Sequence, residues 1–97
     1  MNTPSAPDAP ERLLDTVEAG PGGAMTDDVG IVTGDLTVAT TLQPGGRAAL
    51  TVQYTGAEEW YHLTGSSPAP LSPAGLTALH REVLERLRAG GGAQAPS

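Results

Sequence analysis

The sequence predicts an α+β domain: a three-stranded antiparallel meander with a C-terminal helix packed on one face and a short helix ahead of it, in the order α-β-β-β-α. Three observations carry that expectation. Between Leu36 and Leu63 the runs LTVATTL, AALTVQY and WYHL alternate in polarity and are joined by glycine-bearing turns. Residues 73–89 place leucines at helical spacing between a serine cap and a glycine stop. Ahead of both, Leu13, Leu14 and Val17 make a small apolar stripe that ends at Gly20-Pro21.

The N-terminal element is the weakest. Asp8 with Glu11 three residues on has the form of a capping box, and Pro10 is tolerated in a first helical turn. The stripe that follows predicts a helix over about residues 9–19. A helix of about ten residues does not persist alone in water, so this one must dock to survive. Residues 20–30, PGGAMTDDVG at their heart, read as a flexible linker. The expected organisation is an acidic, flexible arm over 1–30, a small α+β domain over 31–89 and a disordered tail, GGGAQAPS, over 90–97.

Counting fixes a register for the strands. Side chains alternate faces, so paired residues must agree on which face is apolar. A three-residue loop, Pro44-Gly45-Gly46, sets Gln43 against Arg47, Val38 against Val52 and Leu36 beside Tyr54. A two-residue Gly56-Ala57 turn pairs Thr55 with Glu58, Val52 with Tyr61 and Leu50 with Leu63. One face is then apolar: Leu36, Val38, Leu42, Leu50, Val52, Tyr54, Tyr61 and Leu63. The other is a floor of small and hydroxyl side chains carrying Gln53, Trp60 and His62.

The last helix has clear punctuation. Ser72 is the N-cap, Pro73 takes the first helical position and Gly90 follows the end. Leu76, Leu79, Val83 and Leu87 fall in one narrow sector, with Leu84 at its margin. That stripe is expected to cover the Leu50, Val52, Tyr61 and Leu63 face of the sheet. Glu82 and Arg86 form an i,i+4 pair in the favourable order.

Composition narrows the function. The chain has 97 residues, no cysteine and no phenylalanine, which bounds it to one small domain with a thin core and excludes disulfides and thiol chemistry. Such a core gains from self-association or a partner. Residues 1–35 hold Asp8, Glu11, Asp15, Glu18, Asp27, Asp28 and Asp35 against Arg12 alone, so the net charge of −6 sits in the N-terminal third. No basic footprint for nucleic acid is present. No apolar run approaches the ~18 residues of a membrane span, and the first residues lack the basic and apolar regions of a secretory signal, so a cytoplasmic protein is expected. Five arginines without a lysine, beside many Ala, Gly and Pro, suit a GC-rich bacterial genome.

No constellation for catalysis, cofactor or metal emerges. Alternation sends Glu58 and Glu59 to opposite faces, so they cannot share acid–base work. Asp27-Asp28 has no further ligand at metal spacing, and the two histidines fall on opposite sides of the sheet. His80 lies in the apolar sector of the last helix with neither nucleophile nor orienting carboxylate in sight. The glycine runs lack a phosphate-loop lysine and the strand–glycine–helix order. The protein is expected not to be an enzyme.

What stands out is the second sheet face, where Thr37, Gln53 and Trp60 form one row and Thr51 and His62 belong to the next. A large aromatic over small neighbours serves as an interface anchor, or is covered by the N-terminal arm. The expected function is a small interaction module that docks to a protein partner or to a second copy through Thr37, Thr51, Gln53, Trp60 and His62. A small-molecule or catalytic site on the Trp60/His62 face is the alternative. The element order is also similar to that of double-stranded-RNA-binding domains, which would imply RNA recognition through a basic cluster at the start of the last helix. Here that position reads SPAGLTALH, so the implied RNA-binding residues are missing.

Overall fold

The computed structural model describes residues 12–65 and 72–96. The elements are β1 (Arg12–Glu18), β2 (Ala24–Thr26), β3 (Gly30–Val32), β4 (Asp35–Leu42), β5 (Ala48–Tyr54), β6 (Tyr61–His62) and α1 (Pro73–Ala89). The class is α+β, with antiparallel strands and one C-terminal helix, but the main sheet has four strands in the order β1-β4-β5-β6. A second sheet of two strands, β2 and β3, sits beside it.

The strand register follows the count from the sequence. Val38 pairs with Val52, Leu36 with Tyr54 and Leu42 with Ala48, and the Gln43 amide donates to the Arg47 carbonyl at 2.7 Å across the three-residue loop. On the other side of β5, Val52 pairs with Tyr61 and Thr51 with His62, and the Leu63 amide reaches the Leu50 carbonyl at 3.0 Å. That ladder stops short of the turn, and the expected Thr55–Glu58 pair does not form. The Thr55 amide instead donates to the Asp35 carbonyl at 3.0 Å, and its hydroxyl lies 3.1 Å from that of Thr37. Thr55 thus stays with β4, and residues 57–60 loop away. Tyr54, expected in the core row, is 41% exposed at this end of the sheet.

Three expectations are corrected. First, no N-terminal helix is seen among the described residues: Arg12–Glu18 is a strand, paired with β4 from Arg12↔Thr41 to Glu18↔Asp35. A ten-residue helix must fix several dihedrals for its first bond, whereas the free edge of β4 offers a bond to every second residue. Leu13, Asp15 and Val17 share the inward row, and Asp15 interrupts the apolar alternation that marks a strand. The proposed cap at Asp8, Pro10 and Glu11 lies outside the described residues, as does most of the stretch between Thr64 and the helix. With β1 a strand, the α-β-β-β-α order and its likeness to RNA-binding domains fall away.

Second, residues 20–30 are more than a linker. β2 pairs with β3, meets Leu63 through Thr26, and meets Ala93 through Ala24. Third, residues 90–96, expected as a disordered tail, run alongside. The Met25 amide donates to Ala93 and the Ala93 amide to Gly23, both at 2.9 Å, and the Ala95 amide donates to Thr64 at 2.8 Å. One hydrophobic cluster therefore runs from Val17 through Ala24, Val32, Leu36, Val52 and Val83 to Ala93.

The helix behaves as its sequence predicts locally. Ser72 accepts from the Gly75 amide at 3.1 Å, and the Gly90 amide closes the last turn on Arg86 at 3.0 Å. Leu76, Leu79, Val83 and Leu87 are buried. Its position differs from expectation, because α1 packs chiefly on β1 and β4. Adding β1 puts β4 inside the sheet, and the β2–β3 hairpin and tail share the core with Leu50, Val52 and Leu63.

The two glycine runs meet where α1 ends. The Gly20 amide donates to Leu87 at 2.9 Å, and the Gly91 amide donates to Pro21 at 2.6 Å. A methyl on Gly20 would run into the Arg88 carbonyl oxygen, and one on Gly90 into that of Pro21. Gly20→Ala should cost about 1–3 kcal/mol through overpacking. Gly34→Ala, with positive φ but open space around it, should cost only the ~1 kcal/mol of backbone strain. Urea denaturation of the two variants checks the ranking.

Candidate functional site

The face of the sheet opposite α1 is built by residues that alternate outward. Across β1, β4 and β5 its rows are Arg12–Thr41–Ala49, Leu14–Ala39–Thr51 and Thr16–Thr37–Gln53. His62 joins the middle row as the partner of Thr51, and Trp60, two residues earlier, falls on the same face. The five residues expected here, Thr37, Thr51, Gln53, Trp60 and His62, thus share one face, and the structure adds Arg12, Leu14 and Thr16 from β1.

Trp60 has a partner that the sequence concealed. The Arg12 guanidinium carbon lies 5.1 Å from the ring centroid, a cation–π contact worth about 0.5–1 kcal/mol at an exposed site. Arg12 starts from the first row of β1 and Trp60 from beyond β5, so the two reach towards each other across the middle row. Small side chains there leave room, and Ala39 is 0% exposed although it lies on the helix-free face. Leu14, by contrast, is 51% exposed beside it. The N-terminal segment therefore meets the tryptophan through an arginine on a strand. Gln53 is turned to the 57–60 loop, donating to the Ala57 carbonyl at 3.1 Å.

His62 is anchored at the rim. Its backbone amide donates to Asp28 Oδ1 at 2.6 Å, and its Nδ1 lies 3.4 Å from Asp28 Oδ2. The hydrogen bond from the His62 amide is the main cause that holds the Asp28 carboxyl below its ordinary value; burial opposes it, and the His62 ring adds a smaller lowering. Asp27 accepts from the Thr64 hydroxyl at 2.9 Å. The adjacent acids, in a segment expected as a flexible linker, therefore pin the β2–β3 turn to the end of β6. On the loop before β6, Glu59 accepts from the Tyr61 hydroxyl at 3.1 Å, which pushes that phenol's pKa up.

His80 lies on the other side of the sheet, and there the structure assembles what the sequence did not supply. Its Nδ1 lies 2.7 Å from Thr40 Oγ1, and its Nε2 lies 2.8 Å from Asp15 Oδ2. With Asp15 ionised, Nε2 carries the proton and donates to it, and in the neutral ring Nδ1 accepts from the Thr40 hydroxyl. A hydroxyl, an imidazole and a carboxylate in line have the connectivity of a hydrolytic triad. Thr40 is 0% exposed, however, so no substrate reaches its oxygen. The relay acts as a clamp that joins β1, β4 and α1, and it explains why Asp15 occupies the inward row. Neither partner was legible in sequence, since Asp15 and Thr40 lie far from His80 along the chain.

A cleft of about 300 Å³ opens where β6 leaves β5 to follow β2, and Asp27, Gln43, Arg47, Leu50 and His62 are among its lining residues. Among the described residues no three His, Cys, Asp or Glu side chains converge as a metal site, and no helix is long and apolar enough to cross a membrane. Comparison with protein-family models, with curated proteins and with solved structures finds no match for this chain.

The clamp and the rim each make a prediction. Thr40→Val should cost about 1–3 kcal/mol by stranding a buried ring nitrogen, whereas Thr40→Val with His80→Leu should recover much of that loss. Equilibrium unfolding of the single and double variants reads this directly. At the rim, a carboxyl with a lowered folded pKa contributes stability above its unfolded value of 3.8, and loses it as pH falls through the lower folded value. Hydrogen exchange at the His62 amide should accelerate, relative to its intrinsic rate, below about pH 4, and Asp28→Asn should remove that step.

Proposed function

We propose that this protein is a small interaction module that docks to a protein partner, or to a second copy, through the helix-free sheet face around Trp60. The observation that carries the reading is the Arg12–Trp60 stack beside exposed Leu14, on a sheet face over which no helix lies among the described residues. Tryptophan and arginine are the residue types that most often anchor interfaces, and a stacked pair holds both in place before binding. The rest of the face is small and polar: Thr37, Thr51 and Gln53 offer a surface that a partner can approach closely. With the charge excess on carboxylates elsewhere, nothing here favours nucleic acid.

A second reading, a small-molecule site, is favoured by the cleft that His62 lines together with Arg47 and Gln43. Monitoring the His62 ring by NMR separates the two. A resonance that shifts saturably when a small-molecule pool is added, and not with a protein partner, supports the cleft.

The experiment for the principal reading is substitution at the anchor. Trp60→Ala should weaken association at least about 10-fold while the far-ultraviolet circular dichroism is unchanged. Concentration-dependent light scattering and co-purification from the source organism supply the readout. A chain that stays monomeric at millimolar concentration and retains no partner overturns it.

A further inference from the structure

We infer that the outer edge of β1 is a self-docking surface, on which two copies pair antiparallel about a two-fold axis through Asp15. This surface is distinct from the helix-free face, since it uses backbone at the sheet's rim. Among the described residues, β1 has a neighbour on one side only, β4. The Ala19 amide donates to the Gly34 carbonyl at 2.9 Å in the same register as the β1–β4 ladder. Counting back by twos, Val17, Asp15 and Leu13 direct their backbone groups to β4, and Glu18, Thr16, Leu14 and Arg12 direct theirs outwards. That leaves four residues with backbone donors and acceptors aimed off the edge, a template for another strand.

The sequence of the strand favours a second copy as the occupant. With Asp15 on the axis, Arg12 faces Glu18 of the second copy, Leu13 faces its Val17, and Leu14 faces its Thr16. All four outward residues are then in hydrogen-bonded pairs, and a shift of the axis by one residue either way leaves one of them out. The charge pattern has a further reason to pair. Within one chain Glu18 stands directly opposite Asp35, a like-charge cross-strand pair that is unfavourable. A hollow of about 280 Å³, lined by Thr16, Glu18, Asp35 and Thr55, lies at that point on the same face. In this register the second copy's Arg12 lies beside that hollow, which sets a cation next to two carboxylates. The cost is at the axis, where two Asp15 carboxylates oppose each other. Each is 59% exposed and held by its own His80, so water and the imidazole N–H screen it.

The absence of cysteine makes the register directly testable. Leu14→Cys and Thr16→Cys chains, mixed and oxidised, should give a covalent heterodimer, because those positions face each other at a separation a disulfide spans. Either chain alone should cross-link at least about 10-fold more slowly. Asp15→Asn keeps an acceptor for His80 and removes the axial repulsion, so it should tighten the dimer about two- to five-fold by sedimentation equilibrium. Arg12→Ala should weaken it, and Trp60→Ala should leave the cross-link in place even if it abolishes partner binding. Rapid self-cross-linking of Leu14→Cys alone overturns this register. A folded chain, by circular dichroism, that is monomeric with no preferential cross-link in the mixture overturns the surface altogether.

Discussion

Two glycine runs, 20–23 and 90–92, meet backbone to backbone, and the rest of the fold depends on that contact. Where Gly20 lies against the last turn of α1 and Gly90 against Pro21, any β-carbon would occupy the space of a carbonyl oxygen. The contact does three things at once. It satisfies the Leu87 carbonyl at the helix end, starts the chain from β1 into the β2–β3 hairpin, and starts the tail along β2. Without it the segments on either side have no reason to be neighbours. A domain this small cannot bury enough apolar surface with three strands and a helix alone, so drawing 20–32 and 90–96 into the core enlarges it where composition provided few large side chains.

The His80 relay is a second joint, made of different chemistry. It crosses from the sheet to the helix through two hydrogen bonds with no buried side-chain donor or acceptor left over among the described residues. A buried polar network of this kind contributes little net stability when complete and costs much when broken, so it discriminates among packings more than it strengthens one. It also reconciles a charge in the inward row of β1 with a strand that otherwise packs Leu13 and Val17 towards the core. The same residue sits at the middle of the exposed edge, so the device that fixes α1 on the sheet also sets the electrostatics of the rim.

The helix-free face is assembled from surface residues of separate segments. Arg12, Leu14, Trp60 and His62 come from segments that are far apart in sequence and are brought together by the order β1-β4-β5-β6. Their rigidity is borrowed: Arg12 from a strand paired with β4 along its length, His62 from Asp28, and Gln53 from the 57–60 loop. For the proposed docking this means a surface already arranged, which limits the side-chain ordering that binding would have to offset.

Local regularities determined the parts of this protein that depend on neighbours in sequence. Alternation between Leu36 and Leu63 gave one register that keeps apolar residues on one side, and the Ser72 cap, Pro73 and Gly90 bounded the helix. The face carrying Thr37, Thr51, Gln53, Trp60 and His62 followed from the same period of two. What only the tertiary structure decided is everything that joins residues distant along the chain. Arg12–Glu18 is a strand because β4 had an open edge, although its apolar spacing suits a helix equally well. The glycine runs are contacts because neither carries the β-carbon that would hold the other's backbone away. Asp15, Thr40 and His80 converge only once β1 is in place, and so does the arginine that covers Trp60. Periodicity records which side of an element is apolar; it does not record what that side, or the other, will meet.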